Sequence, residues 1–345
     1  MKKILLISVL MVLGCIPAMS QGFNNAGEYM QFINNEHTRI KKDLWNYMAA
    51  LAHGKGARKV ESKRQELIST TEAAEKKVKN MRDWDDNTEY RDSVSSYLDI
   101  CTTVLKEDFA KIVDMEEIAE KSYDAMEAYL MVKEAANNKL DEAAEMVAAA
   151  QQKFATEFGI TLIDEQSKLD QKLEKSGPVF DYYNVVYLIF FKAYIQEFNM
   201  MQAINTGDIN AAEQNKSAMI QFSKEGLTVL DSTKSFKSDL TLISASKKYL
   251  TFCQKEGEEK IPVILDFYLK KDNFEKQNVS FESIPKNKRT QTDVDNYNKA
   301  VSDYNASIAE YNKVNEELNV NRAKNLEVWN SAAESFLDRH IPQKR

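Results

Sequence analysis

Only 10 glycines and 5 prolines interrupt 345 residues, well under the ordinary share of either, so the chain has little material for tight turns and must be built from long elements. Histidine and cysteine are scarce as well, three of each. His37, His53 and His340 fall in three well-separated places along the chain, and a zinc site of the common kind would have to lean on carboxylates. The patterns GxSxG, HExxH, ExxH and CxxC are all missing, which removes the nucleophile elbow, the zincin helix, the di-iron bundle and the thiol redox pair. No catalytic residue, metal site or cofactor is therefore expected, and the chain reads as non-enzymatic. A basic surplus is also lacking: the formal charge is −7 and the pI about 5.3. Nucleic acid is a poor partner for such a surface, because neutralising phosphates needs clustered lysine and arginine. Beyond the N-terminus the longest apolar run is "VVYLIFF", Val185 to Phe191, far short of the ~20 residues that span a bilayer.

What is present begins with a targeting signal over residues 1–20. "MKK" supplies the positive start, "ILLISVLMVL" the apolar stretch and "PAMS" a break followed by small residues, the order of a secretory signal peptide. Cleavage after Ser20 is the favoured reading; the alternative treats "VLGC" as a lipobox and leaves a lipid anchor on Cys15. In an exported protein the remaining Cys101 and Cys253 could join in a disulfide or stay as buried small hydrophobes.

Apolar residues recur at steps of three and four nearly everywhere, and no segment alternates with period two, so the expected fold is all-α: an elongated bundle of long antiparallel helices. Helices are predicted over about 25–52, 55–81, 90–109, 114–158, 180–205, 209–230, 236–254 and 292–340. They divide into two tandem four-helix units, 21–163 and 164–345, related by an offset of roughly 146 residues. The polar stretch "KQNVSFESIPKNKRTQ" is expected to be an exposed loop at 276–291. The last helix carries a heptad through Val294, Tyr297, Val301, Tyr304, Ile308, Tyr311, Asn315 and Leu318, and at 1.5 Å per residue it would reach about 70 Å. Tyr297, Tyr304 and Tyr311 are expected to pack on sister helices with their hydroxyls at the rim.

The stretch "AHGKGARKVESKR" lacks the strand, the glycine spacing and the Lys-Ser/Thr of a phosphate loop, and reads as the corner of a helical hairpin. Lys55, Arg58, Lys59 and Lys63 make that corner a candidate basic interaction patch. Folding back about Gly54 would bring Arg64 beside Asp43 and His37 near Thr71, a candidate buried polar cluster of His37, Asp43 and Arg64 in which the ion pair sets register.

The run "INNEHTRIKKDLWNYMAALAHGKGARKVESKRQELI", with "EYRDSVSSYLDI" and "DMEEIAEKSYDAMEAYLMVKEAANNKLDEA" after it, resembles an uncharacterised family of exported bacterial surface proteins of spirochaete and Bacteroidota type, best over residues 29–163. The resemblance implies export and a surface location, and no site residue. The leading expectation is a non-enzymatic helical protein of a Gram-negative envelope, in the periplasm, on the outer-membrane surface or outside the cell, binding another macromolecule. The alternatives are a small-ligand or metal binder built inside one bundle around His37 or the tyrosine stripe, and a membrane-active bundle that unmasks "VVYLIFFKAY".

Overall fold

The computed structural model describes residues 9–10, 22–53, 57–110, 118–164 and 166–341; Cys15, Ser20, Gly54, Lys55 and Gly56 lie outside them. The chain is all-α, with long helices packed against one another, apart from a two-residue antiparallel ladder of β1 (Val9–Leu10) with β2 (Ile163–Asp164). Two compact units divide it, residues 1–184 with 336–345 and residues 185–335. The expected division at 163/164 thus gives way to one inside a helix, and the chain's last residues return to the first unit.

In the first unit, α1 (Ala26–Ala52) opens on Asn25, whose side chain accepts the Glu28 amide while Glu28 reaches back to the Asn24 amide at 2.9 Å, a reciprocal cap that satisfies free helix donors. It pairs with α2 (Ala57–Lys79), and α2 with α3 (Glu89–Thr103). Between α2 and α3, Trp84 and Asn87 bridge across Asp85 and Asp86, both at positive φ; aspartate is among the few residues that tolerate this region. A π-helical turn, Val104–Asp108, extends α3. The next long described helix, α4 (Tyr123–Glu157), is capped by Ser122, whose hydroxyl accepts the Ala125 amide; the expected start at 114 lies outside the described residues. It stops at Gly159 (φ 65°), with Ile160 N–H returning to the Ala155 carbonyl at 2.7 Å, as in a Schellman end.

Helix α5 (Lys168–Thr206) runs unbroken through Pro178, where the sequence predicts a helix starting only at 180. A proline in mid-helix forfeits one backbone bond, but Leu173, Ser176 and Val179 are buried around it and that packing holds the helix together. α6 (Ile209–Ser232) begins on an Asp208 cap. α7 (Thr241–Lys255) continues through a second π-helical turn, Glu256–Lys260, into α8 (Ile261–Ser283). Pro262 follows this turn at once; lacking an N–H, it cannot complete an α-helical ladder to residue 258, and a wider turn absorbs the mismatch. A 3₁₀ turn, Lys286–Lys288, leads to α9 (Gln291–His340).

The two units share a local plan, in a register that differs from the expected offset. α3 and α7 are each 15 residues long and each ends in a π turn, and Phe236 and Asp239 bridge across positive-φ Lys237 and Ser238 just as Trp84 and Asn87 do across theirs. Glu89 therefore falls on Thr241, an offset of 152 (241 less 89), which places "YLDIC" of 97–101 on "YLTFC" of 249–253.

The expected loop at 276–291 is mostly helix. Phe267, Phe274 and Phe281 of α8 form their own seven-residue ladder and stack on Tyr311, Tyr304 and Tyr297 of α9 at 4.3, 5.0 and 4.4 Å. The rings lie within 28° of parallel. The tyrosine stripe is thus covered from within its own unit, and the aromatic contact carries the helix to Ser283. Phe274→Ala removes the middle rung, and with pair energies of about 0.5–1.5 kcal/mol beyond area it should destabilise this hairpin by about 1–3 kcal/mol. Hydrogen exchange should speed up in α8 and the start of α9 and stay unchanged in residues 26–157; uniform loss of protection would contradict a locally held hairpin.

Candidate functional site

Three apolar clusters make the interior of the first unit: one around Tyr29, Ile33, Val94 and Phe154, a second of Tyr47, Leu67, Ile68 and Leu105, and a third of Val104 and Ala136. They leave a cavity of about 160 Å³ where they meet, with Tyr90 and Val147 from the first, Leu67 and Leu105 from the second and Leu140 from beside the third on its wall. Seven side chains with a nitrogen or oxygen share that wall: His37, Lys41, Thr71, Tyr90, Tyr97, Asp141 and Gln151.

Their states differ. His37 packs edge-on against Tyr97 at 5.8 Å, and its Nε2 is buried with no hydrogen-bond partner. Burial, helped by the Lys41 charge, holds its pKa down to about 4, so at neutral pH the ring is uncharged. Lys41 is held by Asp170 at 2.8 Å. Thr71 donates to the Leu67 carbonyl at 2.8 Å. Tyr97, whose pKa burial drives well upward, has the Cys101 sulfur beside its hydroxyl. Gln151 is 7% exposed and borders the open volume. Of the polar atoms on the wall, the one that is buried without a partner is His37 Nε2, a costly position for a polar group.

Only part of the expected polar cluster comes together. His37 and Thr71 do share the cavity wall. Arg64 does not meet Asp43: its guanidinium takes Glu61 in two 2.8 Å bonds and donates to the Leu105 carbonyl at 2.5 Å, while Asp43 accepts from Thr70 at 2.7 Å. Side chains on both helices of an antiparallel pair tilt toward their own N-termini, so partners lie more than a turn later than a fold-back of Cα positions suggests; Glu36 with Lys77 obeys the same shifted register. In the basic corner, Arg58 and Lys59 are exposed, whereas Lys63 is ion-paired with Glu66. His53 caps α1 and contacts Asp338 Oδ1 at 2.6 Å and the Ile341 carbonyl at 2.8 Å, so two histidine regions expected apart adjoin one another. Cys101 and Cys253 are both buried and free. Among the described residues no group of three or more His, Cys, Asp or Glu is placed to hold a metal ion, and no helix is long and apolar enough to cross a membrane.

The second unit treats the matching positions differently. Tyr249, equivalent to Tyr97, donates to the Glu197 carboxylate of α5. Arg322 of α9 lies between Glu197 Oε1 at 3.1 Å and Glu256 Oε1, to which its Nε donates at 2.7 Å. Glu256 and Glu197 are 1% and 5% exposed. Burial, reinforced by the neighbouring Glu197, raises the Glu256 pKa to about 9: one guanidinium balances one carboxylate, and the other keeps its proton. Gly257 admits this turn to the core, since a Cβ there would come within 2.6 Å of Ile220.

No family model, curated protein or solved structure matches the chain. The site argument therefore rests on the chain's own geometry. The network was open to detection in the sequence, because each member breaks an apolar stripe in register: Glu197 among Phe190, Ala193, Met200 and Ile204, Glu256 after Tyr249 and Cys253, and Arg322 one step beyond Leu318. Gln151 follows Ala143, Val147 and Ala150 in the same way.

Glu256 makes a signed prediction. Its folded pKa, about 9, exceeds the ordinary 4.5, so the folded chain keeps a proton that the unfolded chain releases. Its contribution is fullest below pH 4.5 and is lost as pH rises toward 9, at a slope of on the order of 1 kcal/mol per pH unit. Denaturation across that range should show the slope for the native chain and a flatter line for Glu256→Gln. Arg322→Met should cost about 3–5 kcal/mol by stranding the carboxylates; a smaller loss than Glu256→Gln would contradict the pairing.

Proposed function

We propose that the chain is an exported helical protein that binds a small molecule inside its first four-helix unit. The cavity bordered by the buried, unpartnered Nε2 of His37 carries this reading: a mostly apolar hollow with a few converging polar groups, between the helices of a bundle, has the form of a ligand site. Export is supported by the positive, apolar and small-residue order of residues 1–20 and by the resemblance of residues 29–163 to exported bacterial surface proteins.

Binding of a macromolecule is the second reading, favoured by Leu269 and Val279, which are 60% and 70% exposed on α8, and by Arg58 and Lys59 at the first corner. The run Val185 to Phe191 lends less to membrane action, because Val186, Phe190 and Phe191 are buried and Phe190 stacks on Trp329 at 4.2 Å.

Native mass spectrometry of protein purified from its own host should find a bound small molecule. Ala148→Phe, which puts a ring into the cavity, should abolish that extra mass while leaving the helical circular dichroism intact. Host-purified native protein without a bound molecule, or a variant that keeps its cargo, would count against the reading.

A further inference from the structure

The ligand's chemical class can be taken further, resting on the cavity as a ligand site. The volume of about 160 Å³ is close to that of an engineered apolar cavity of about 150 Å³ that accepts benzene, so a single ring fits and a fused multi-ring system or long acyl chain does not. The apolar part of the wall, with Ile40, Leu44, Leu67, Leu105, Leu140 and Val147, suits such a ring. The polar part carries the buried Nε2 of His37, which has no hydrogen-bond partner, next to the Tyr97 hydroxyl, whose partner is the Cys101 sulfur, and the Gln151 carboxamide. All three are uncharged at neutral pH, His37 because burial suppresses its protonation.

The charged groups on the wall do not invite an ion. Lys41 is already taken by Asp170 at 2.8 Å, so an anionic ligand would have to break that pair. Asp141 has its carboxyl pushed up by burial and then by Glu145 one turn on, which weakens it as an anchor for a cation. Lys41 and Asp141 also line the same hollow with opposite signs, and an added charge would upset that balance in a region where an unpaired ion is expensive.

We propose that the first-unit cavity selects an uncharged, single-ring molecule bearing one hydrogen-bonding group, with Gln151 and Tyr97 reading that group and the leucine wall holding the ring. Recognition through these groups and the unpartnered Nε2 of His37 also gives discrimination, because a ligand without the polar group leaves that nitrogen unpaired.

Four ring probes of nearly equal size test this on the full-length protein: phenol, benzene, benzoate and benzylammonium, titrated by calorimetry or ligand-observed NMR near pH 7. Phenol should bind, benzene should bind about three- to tenfold more weakly for want of a hydrogen bond, and both ions about tenfold or more weakly still than phenol. Gln151→Leu should bring phenol down to the affinity of benzene while leaving benzene nearly unchanged. If benzene equals phenol, or either ion binds best, the class is wrong and the cavity remains a ligand site. If no probe binds the native chain, the ligand reading itself falls. A phenol preference untouched by Gln151→Leu would overturn the assignment of that residue; because the native protein alone separates the four probes, a variant that fails to fold does not blunt the test.

Discussion

A charge removed from water inside a helical bundle has to find its opposite there, and in the second unit that requirement falls on Arg322. Its guanidinium is the cation against which Glu197 and Glu256 are placed, and Tyr249 adds a donor on the far side of Glu197. Taking Arg322 away leaves two buried carboxyl groups whose desolvation nothing offsets. The helices that carry them, α5, α7 with its π turn, and α9, are thereby fixed in register against one another in a way that leucine and valine contacts, which tolerate sliding, do not impose. The π turn is part of the same device: it swings Glu256 inward just before Pro262, and the bare Cα of Gly257 lets the backbone approach Ile220 and Met219.

The first unit meets the same structural plan with a different solution. It repeats the positive-φ reversal, the 15-residue helix, the Tyr-Leu-x-x-Cys run and the π turn. Here too an arginine attends the π turn, but Arg64 reaches a backbone carbonyl, that of Leu105, and brings its own counter-charge in Glu61. The carboxylate on the same wall as Tyr97 is Asp141, with Lys41 of opposite sign lining the same hollow, whereas the second unit brings an arginine and two carboxyl groups into contact. Two copies of one framework therefore differ less in their helices than in what occupies the space beside one tyrosine.

Much of this was legible in the chain. Steps of three and four identify the helices, and Tyr90, Val94 and Cys101 or Leu67, Ala74 and Val78 are buried as their spacing implies. The parts that escaped have physical causes. Loop-like composition at 276–291 hid Phe281, whose meaning depends on Tyr297 across the hairpin. A π turn has no local signature comparable to a cap, so the ends of α3 and α7 are not legible in the sequence, and the offset of 152 between the units is fixed by the paired reversals and π turns, not by residue types. The Arg64 partner was missed because two helices were folded together by backbone position, without the tilt of their side chains. Gln151, Glu197, Glu256 and Arg322 were visible as polar residues on apolar stripes, but which stripes converge is a tertiary fact.

The persistence of the hollow is itself informative. If it stood empty, a cavity of about 160 Å³ would forfeit contacts worth on the order of 4 kcal/mol at the cost per volume seen when core side chains are cut back, a large part of the margin of an ordinary domain. Water would relieve the polar wall around Gln151 but not the leucines facing it. Ala144 and Ala148 lie on that wall, and a larger aliphatic residue at either would close it with no change of helix. A void that small substitutions could remove, with the unpartnered Nε2 of His37 on its wall, fits the proposal of a bound molecule that supplies both the missing contacts and the missing partner.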